Sequence, residues 1–370
     1  MKKIVLLILL CGLLSGCTVP ETTPPQTVPT TQIPTQVAAE PTETDAPTEA
    51  PPETTQPAPE PVEYVLSFVG DCCLANLKSW PESDYFMGTI GDNYDYPFAK
   101  VVDYFENDDC TFINLENPLT DGGRPANKSF VFRGPTAYTG ILTQGSVEFA
   151  NVANNHSMDY GQTGFDDTLE ALDGVGIHYA ADGTYRIFTT ASGLTIGIYA
   201  RTYPQDADGL AEAIAALREE GAEIVIVCYH WGKEYYYNPN QLQMDLGHAA
   251  IDAGADIVYG HHSHVLQPVE EYNGGVIFYS LGNFCFGGNT NPTDKDSAIL
   301  QQHVIREADG TVHLGDLIRI PCSISSTDLY NDFQPVTLEQ ESEAYNRVLS
   351  KLDGTWEKTR LTVTYRPELG

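Results

Sequence analysis

The feature that most restricts the fold of this chain is a cluster of three histidines directly after an apolar run. The run Asp256-Ile257-Val258-Tyr259 indicates a buried β-strand, and Gly260-His261-His262-Ser263-His264 follows it. Imidazole is costly to bury without partners, and it is the commonest neutral metal ligand near pH 7. The pattern therefore predicts a strand whose carboxyl end presents metal ligands. His261 itself is expected to lie between the strand and the ligand turn without binding metal.

Other apolar runs are also followed directly by polar or charged residues that can bind metal. Residues 224–229 precede His230-Trp231-Gly232, and residues 149–153 precede Asn154-Asn155-His156. Two earlier runs end at Asp71 and at Glu116. Ligands of open α/β sheets bind outside the carboxyl ends of the strands, so we expect these side chains to converge.

The chemistry of these residues indicates a transition-metal site. Two carboxylates, an amide and several imidazoles suit Mn²⁺, Fe or Zn²⁺, whereas Ca²⁺ prefers oxygen ligands alone. A bridging carboxylate with ligands on both sides is what two ions about 3.5–4 Å apart require. We therefore expect a divalent-metal cofactor, with two ions as its full complement.

Strand-like and helical patterns alternate along the chain. Helices are predicted at 97–105, 138–143, 165–172, 210–220, 241–252 and 340–352, and an antiparallel hairpin at 186–200. Strands alternating with helices, followed by hairpins, predict an α/β layered sandwich that contains a mixed sheet or two stacked sheets flanked by helices.

The first 17 residues predict an export signal. Lys2 and Lys3 precede an apolar run at 4–10 that is too short to span a bilayer. Leu14-Ser15-Gly16-Cys17 resembles a bacterial lipobox, which makes Cys17 the predicted lipidation site. We expect a protein attached by this lipid to the extracytoplasmic face of the bacterial membrane; an ordinary secretory signal is the alternative.

Residues 18–63 and residues 64–370 differ in composition. The first segment is rich in Pro and Thr, has acidic residues but no Lys or Arg, and is predicted to be a disordered spacer reaching on the order of 100 Å. Residues 64–370 are long enough for one large domain. The whole chain has a formal net charge of −32, which argues against nucleic-acid binding. An anionic polymer would need a bridging cation to adhere.

The motif series between about residues 64 and 335 resembles the CapA family of capsule synthesis or poly-γ-glutamate biosynthesis proteins. The motifs are Val69-Gly70-Asp71, Asn114-Leu115-Glu116, residues 153–161, His230-Trp231-Gly232, residues 260–268 and residues 279–284. The fold of that family is similar to that of calcineurin-like metallophosphoesterases. The resemblance therefore implies a four-layer metallophosphatase-like domain at 64–370.

The resemblance also implies roles for individual residues. The implied metal ligands are Asp71 and His264 at a first position, Asn155, His230 and His262 at a second, and Glu116 bridging both. His156 would donate a proton to the leaving group and Asp159 would orient it. Arg133 would bind a phosphate or carboxylate group of the substrate through its planar fork.

Two positions depart from the metallophosphoesterase pattern. Those enzymes open with Asp-x-His, but Cys72 and Cys73 follow Asp71 here, and Glu116 stands where they place an aspartate. We expect Cys73 to be a small buried residue, with a soft metal ligand as the alternative. The first metal position is therefore expected to be weak or empty.

The sequence leaves three functions open. The leading hypothesis is an anchored CapA-like protein that assists synthesis, export or attachment of an anionic surface polymer and has a phosphoesterase-type site. The second is a non-catalytic scaffold that recruits membrane synthase subunits. The third is a secreted metallophosphodiesterase acting on a phosphoester substrate.

Overall fold

The computed structural model describes residues 60–362. The predicted signal peptide, the predicted lipidation site Cys17 and nearly all of the predicted linker lie outside the described residues. The first strand begins at Val62, so the last two residues of the predicted linker belong to the folded domain. None of the helices within 60–362 combines the length and apolar character needed to cross a bilayer.

The strands within the described residues are, in chain order, β1 (Val62–Cys73), β2 (Asn76–Leu77), β3 (Cys110–Leu115), β4 (Phe132–Arg133), β5 (Phe149–Asn151), β6 (His178–Ala180), β7 (Tyr185–Thr189), β8 (Thr195–Thr202), β9 (Ile224–His230), β10 (Ile257–His261), β11 (Val269–Tyr272), β12 (Gly275–Phe278), β13 (Asn283–Phe286), β14 (Asp296–Arg306), β15 (Val312–Ser323) and β16 (Val336–Thr337). The α-helices are α1 (Tyr85–Ile90), α2 (Val102–Phe105), α3 (Thr139–Gln144), α4 (Gly161–Val175), α5 (Leu210–Glu219), α6 (Gln241–Asp252) and α7 (Glu343–Leu352). The helix predicted at 97–105 is shorter because Val101, with φ −131°, is not helical.

Two large mixed sheets form the domain, and β2 and β4 pair as a separate two-stranded sheet. The first has the order β16-β15-β14-β1-β3-β5-β6, with β13 paired in parallel to the carboxyl end of β1. The second has the order β11-β12-β10-β9-β8-β7, in which β8, β9, β10 and β12 are parallel. The strands that end at the predicted ligands are therefore parallel neighbours within the two sheets.

Alternating side chains of the strands build four layers. In β9, Ile224, Ile226 and Cys228 belong to the apolar cluster shared with Phe68 and Phe112 of the other sheet. The intervening Val225, Val227 and Tyr229 pack with residues of α5 and α6. A third cluster joins the outer face of the first sheet to α1–α4. This arrangement confirms the predicted α/β layered sandwich, as two stacked sheets between helices.

The close approach of β1 to the turn before β13 requires a glycine at position 70. A Cβ atom on Gly70 would lie 2.2 Å from the carbonyl oxygen of Gly282, which itself accepts a hydrogen bond of 2.7 Å from the backbone of Asp71. We expect Gly70→Ala to lower the free energy of unfolding by about 1–3 kcal/mol, since backbone must move to make room. Urea denaturation measures this change.

Gly174 provides the matched control. It lies in α4 with nothing within 4 Å of a built Cβ and without a left-handed φ. Gly174→Ala is expected to leave stability unchanged or to raise it by up to about 1 kcal/mol. Equal effects of the two substitutions would contradict the steric argument.

Candidate metal centre

The predicted ligands converge where the strands of the two sheets end. Asp71 lies near the end of β1, Glu116 directly follows β3, and His230 is the last residue of β9. Asn155 follows β5, and His262 and His264 follow β10. The side chains of Asp71, Glu116 and His230 are fully buried. Local strand patterns therefore place charged and polar groups in one enclosed site.

Several buried polar atoms of this site have no partner among the described residues. They are both carboxylate oxygens of Glu116, Oδ1 of Asn155, both ring nitrogens of His230, Nδ1 of His262 and Nε2 of His261. Buried polar atoms without hydrogen bonds are rare in folded proteins, and each one is costly. Four of these residues are those implied for the second metal position. The donor set fits a divalent transition metal.

The distances also suit a shared cation. Glu116 Oε1 lies 3.6 Å from His230 Nε2 and 3.8 Å from His264 Nε2. Glu116, His262 and His264 each offer a ligand atom within 4.8 Å of the others. These separations between ligand atoms allow one ion to contact several of them at about 2.0–2.2 Å.

The first metal position differs because Asp71 is already satisfied by the protein. Its Oδ1 accepts a hydrogen bond of 2.9 Å from Asn114 Nδ2 and lies 3.0 Å from His261 Nδ1. Its Oδ2 lies 3.3 Å from His264 Nδ1. Burial raises the pKa of Asp71, but the contacts with His261 and His264 outweigh it and hold that pKa well below its ordinary value. Asp71 is thus an ionised anchor for two imidazoles.

Burial and charge set the ionisation of the other ligands. Burial, reinforced by the charge of Asp71, raises the pKa of Glu116 well above its ordinary value. Burial also lowers the pKa of His230 well below its ordinary value and lowers the pKa of His262 to about 3. Both imidazoles are therefore neutral near pH 7, which is the form that binds metal. A cation beside Glu116 would favour its ionised form.

The pKa of His264 is raised, whereas the pKa values of His230 and His262 are lowered. Burial alone would lower its pKa, but Glu116 and Asp71 raise that pKa to about 10. Asn283 Oδ1 accepts a hydrogen bond of 2.9 Å from His264 Nδ1 and so fixes the ring. Without another cation, a protonated His264 offsets the negative charge of the ionised Asp71.

The ligand turn after β10 has a strained backbone. His262 has φ 94° and His264 has φ 54°, both in the left-handed region that residues with a Cβ atom rarely adopt. Such conformations persist where surrounding contacts fix them, and they concentrate at functional sites. The strain lets two imidazoles from one short segment point at the same pair of carboxylates.

His156 and Asp159 form the predicted dyad, and a lysine joins them. His156 Nδ1 lies 2.8 Å from Asp159 Oδ2, which also accepts a hydrogen bond of 2.7 Å from the backbone of Phe132. Lys128 Nζ lies 2.5 Å from Asp159 Oδ1 and donates to the backbone carbonyl of Asn155 at 2.8 Å. Burial lowers the pKa of His156, and Asp159 offsets part of that shift.

Arg133 contacts the side chains of Glu82 and Tyr160. Its Nη2 lies 3.2 Å from Glu82 Oε1, and its guanidinium lies 5.0 Å from the centre of the Tyr160 ring. The neighbouring Phe132 packs its ring on His156, with the centroids 4.8 Å apart. Because successive side chains of a strand point to opposite faces, β4 turns Phe132 toward the dyad and Arg133 away from Phe132. Substrate binding by Arg133 remains a prediction.

Cys73 lies buried in an apolar cluster with Ala75, Phe132 and Phe286. Burial raises the pKa of its thiol well above the ordinary value, so the thiol is neutral at pH 7. These surroundings agree with the expectation of a small buried residue. The cysteines within the described residues are all free and buried.

Comparisons with known proteins place this chain in a family. The model of the family described as "Bacterial capsule synthesis protein PGA_cap" matches residues 65–288, more than half of the chain. This chain belongs to that family. The matched region includes every predicted ligand, His156 and Asp159.

Two curated relatives have names that refer to capsule or PGA biosynthesis. The chain is 36% identical over 269 residues to "PGA biosynthesis protein CapA" of Bacillus subtilis, covering 66% of this chain and 68% of that protein. It is 32% identical over 239 residues to "Capsule biosynthesis protein CapA" of Bacillus anthracis, covering 57% and 58% of the two chains. The chain thus spans between about half and two thirds of these relatives.

A weaker similarity relates the chain to a solved structure, NAD nucleotidase (NadN) of Haemophilus influenzae. The TM-score is 0.41 and the sequence identity 12%, over 82% of this chain and 65% of that one. This similarity is too low to bear on the site.

The structure of this PGA_cap protein adds residues that the sequence did not single out. His261 is the last residue of β10, between the strand and the ligand turn as expected, and its buried ring lies against Asp71. Asn114 joins Asp71 to Asn151 and Asn154 through a buried amide network. The His-His pair and the Asn114-Leu115-Glu116 motif were the signals that pointed to these two residues. Lys128 and Tyr203 lie in segments without a periodic pattern.

Proposed function

We propose that this PGA_cap protein assists the synthesis, export or attachment of an anionic capsule or cell-surface polymer, similar to poly-γ-glutamate, through a metal-dependent phosphoesterase-type site. The observation that supports the site is the set of buried, unpartnered ligand atoms on Glu116, Asn155, His230 and His262. The printed names of the curated relatives support the polymer class.

The proposal assigns one strong and one weak metal position. Glu116, Asn155, His230 and His262 would hold a divalent ion, because their ligand atoms lack protein partners. Asp71 at the other position is satisfied by Asn114, His261 and His264. A bound ion would polarise a phosphoester oxygen and stabilise charge on the entering and leaving groups. Mn²⁺, Fe²⁺ and Zn²⁺ all suit these ligands.

The dyad beside the site would transfer the proton. The backbone of Phe132 and the amine of Lys128 hold the side chain of Asp159, and its Oδ2 accepts a hydrogen bond from His156 Nδ1–H. The other ring nitrogen, Nε2, would first take up a proton to give the imidazolium, which Asp159 stabilises, and would then pass that proton to the leaving oxygen. Lys128 holds both Asp159 and the carbonyl of Asn155, and thereby positions the proton donor relative to a metal ligand.

His156→Gln tests the catalytic part of this proposal. The substitution removes the proton donor and leaves Glu116, His230 and His262 unchanged, so we expect phosphoester hydrolysis to fall by about 100-fold or more while bound metal stays constant. Metal content by mass spectrometry and hydrolysis of a phosphodiester panel measure the two effects. Hydrolysis at the parent rate by the variant would remove His156 from the mechanism.

A non-catalytic scaffold is the second candidate, and the protein-satisfied Asp71 together with the buried Cys73 favours it. His262→Ala in the producing cell separates the two functions. Loss of metal together with loss of surface polymer supports the enzyme, whereas loss of metal with normal polymer supports a scaffold that recruits membrane synthase subunits.

We also propose that Cys17 carries a lipid that attaches the protein to the extracytoplasmic face of the membrane. The support is the lipobox-like Leu14-Ser15-Gly16-Cys17. Metabolic labelling with a fatty-acid analogue tests this proposal, with Cys11 as the internal control: label should depend on Cys17 and persist in Cys11→Ala.

A further inference from the structure

A cleft of about 210 Å³ opens beside the metal ligands. The loop after β8, at Tyr203–Gln205, forms one wall, and the first turns of α6 form the other. Trp231 and Gly232, which directly follow the ligand His230, also line it. Two of the lining residues therefore adjoin a candidate ligand in the sequence.

Tyr203 connects the cleft to the ligands. Its hydroxyl lies 3.2 Å from His262 Nε2, and its ring meets the His262 ring edge-on at 5.0 Å. The backbone of Tyr203 has φ 47° and donates a hydrogen bond of 2.8 Å to the carbonyl of His230. The residue is nevertheless 41% exposed, so Tyr203 leaves surface open to a ligand at the edge of the candidate metal site.

The lining of the cleft is uncharged. It consists of Tyr203, Pro204, Gln205, Trp231, Gly232, Asn240, Leu242, Gln243 and Leu246. A carboxylate buried there would have no cationic partner among these residues, which makes a glutamate side chain an unfavourable occupant. The chain as a whole has a net charge of −32, so the cleft is a neutral surface on a strongly acidic protein.

The polar groups of the cleft are amides. Asn240 uses Oδ1 to accept a hydrogen bond from the backbone of Gln243, which leaves its Nδ2 group outside that helix cap. Gln205 donates through Nε2 to the carbonyl of Tyr203, which leaves Oε1 as an acceptor. Aromatic and aliphatic surface with amide donors and acceptors at the rim suits a ring that has apolar C–H faces and hydroxyl edges.

We infer that this cleft binds the sugar ring of a glycosyl phosphate whose phosphate lies at the metal ligands. The inference rests on the proposed function and narrows its substrate class. A volume of about 210 Å³ equals roughly seven waters at about 30 Å³ each, enough for one ring and too small for an oligomer. A longer polymer would have to extend outside the cleft.

The test compares ligands on the full-length His156→Gln protein loaded with Mn²⁺, which prevents turnover. Isothermal titration with inorganic phosphate and with α-D-glucose 1-phosphate measures the contribution of the ring. We expect glucose 1-phosphate to bind about tenfold more tightly than phosphate. 3-Phosphoglycerate, which brings a carboxylate instead, is expected to bind no more tightly than phosphate.

Leu242→Lys places a long charged side chain at the mouth of the cleft, where Leu242 is 38% exposed. It is expected to remove the tenfold preference and to leave the affinity for inorganic phosphate unchanged. Leu329→Lys is the matched control, because Leu329 is 80% exposed and is absent from the cleft lining; it should alter neither affinity.

The outcomes separate this inference from the proposed function. Phosphate binding without a preference for glucose 1-phosphate, or a preference that survives Leu242→Lys, overturns the inference alone. Tighter binding of 3-phosphoglycerate than of glucose 1-phosphate also overturns it. If the Mn²⁺-loaded protein binds no phosphate at all, the phosphoesterase site itself is wrong, and the sugar subsite is wrong with it.

Discussion

His230→Ala is expected to reduce the affinity of this protein for divalent metal by well over 100-fold. His230 is fully buried at the end of β9, and neither of its ring nitrogens has a partner among the described residues. Loss of an outer hydrogen-bond partner of a metal ligand already costs about 10–100-fold in affinity, so loss of a ligand should cost more. Titration with Mn²⁺ and Zn²⁺, followed by metal analysis, measures the change.

The same substitution distinguishes a metal ligand from a residue that only packs. Alanine at 230 removes a buried imidazole that contacts Glu116 at 3.6 Å and packs against the His262 ring at 4.7 Å. His230→Gln, which keeps an amide acceptor and most of the volume, should restore part of the metal affinity. His313→Ala is the control, because His313 is exposed and pairs with Glu307. Undiminished metal binding by His230→Ala would contradict the proposed ligand set.

Local sequence patterns were sufficient to predict that the candidate ligands lie together at the strand ends. Asp71, Glu116 and His230 each lie at or next to the end of a strand whose apolar residues identify it, and parallel strands bring such ends together. The four-layer fold followed from the alternation of strands and helices and from the family resemblance. The layered fold and the positions of the candidate ligands could therefore be predicted, because both depend on the order of neighbouring strands and helices.

Contacts across long loops were not predictable in this way. Lys128 contacts Asp159 across 31 positions of chain, and its loop has neither helical nor strand periodicity. Strand β13, which the sequence pattern did not predict, pairs with β1 more than 200 residues earlier in the chain. His261 ends β10 just before the backbone turns to a positive φ at His262, so strand alternation gives no guide to the orientation of the ligand turn. These features depend on tertiary packing.

Residues after position 288, where the family match ends, form a buried cluster of charged side chains that is linked to the candidate site. Lys351 of α7 is 3% exposed, and its amine lies 2.5 Å from Asp294 and 2.7 Å from Asp296. The same amine lies 4.8 Å from the centre of the Tyr237 ring, and the Tyr237 hydroxyl donates to Asp294 at 2.7 Å. The helix is thereby joined to the loop that follows His230.

The loop at 235–237 is hydrogen-bonded both to the C-terminal segment and to the ligand turn. Leu361 donates a backbone hydrogen bond of 2.8 Å to the carbonyl of Tyr235, and Tyr237 donates one of 3.1 Å to the carbonyl of Thr359. Tyr235 in turn donates a backbone hydrogen bond of 2.7 Å to the carbonyl of Ser263, between the candidate ligands His262 and His264. The C-terminal segment therefore holds the ligand turn through a continuous series of hydrogen bonds.

We expect Lys351→Ala to lower the free energy of unfolding by about 3–5 kcal/mol, because it leaves the nearly buried carboxylate of Asp294 without its cation and leaves Asp296 with Arg347 alone. Burial raises the pKa of Asp296, but Arg347 and Lys351 outweigh it and lower that pKa overall. A carboxylate with a lowered folded pKa stabilises the protein fully above its ordinary value of 3.8, and this stabilisation is lost as the pH falls through the lowered value. The difference between parent and variant should therefore be large at pH 7 and shrink in acid.

The matched control is Lys358→Ala, which removes an exposed lysine 5.5 Å from the Trp356 ring and should change stability by no more than about 0.5 kcal/mol. Urea denaturation at pH 7 and at low pH gives both values. Since the same cluster holds the Tyr235–Tyr237 loop against Ser263, metal affinity should also fall in Lys351→Ala and stay constant in Lys358→Ala. A destabilised variant that keeps parental metal affinity would show that the cluster stabilises the fold without positioning the ligand turn.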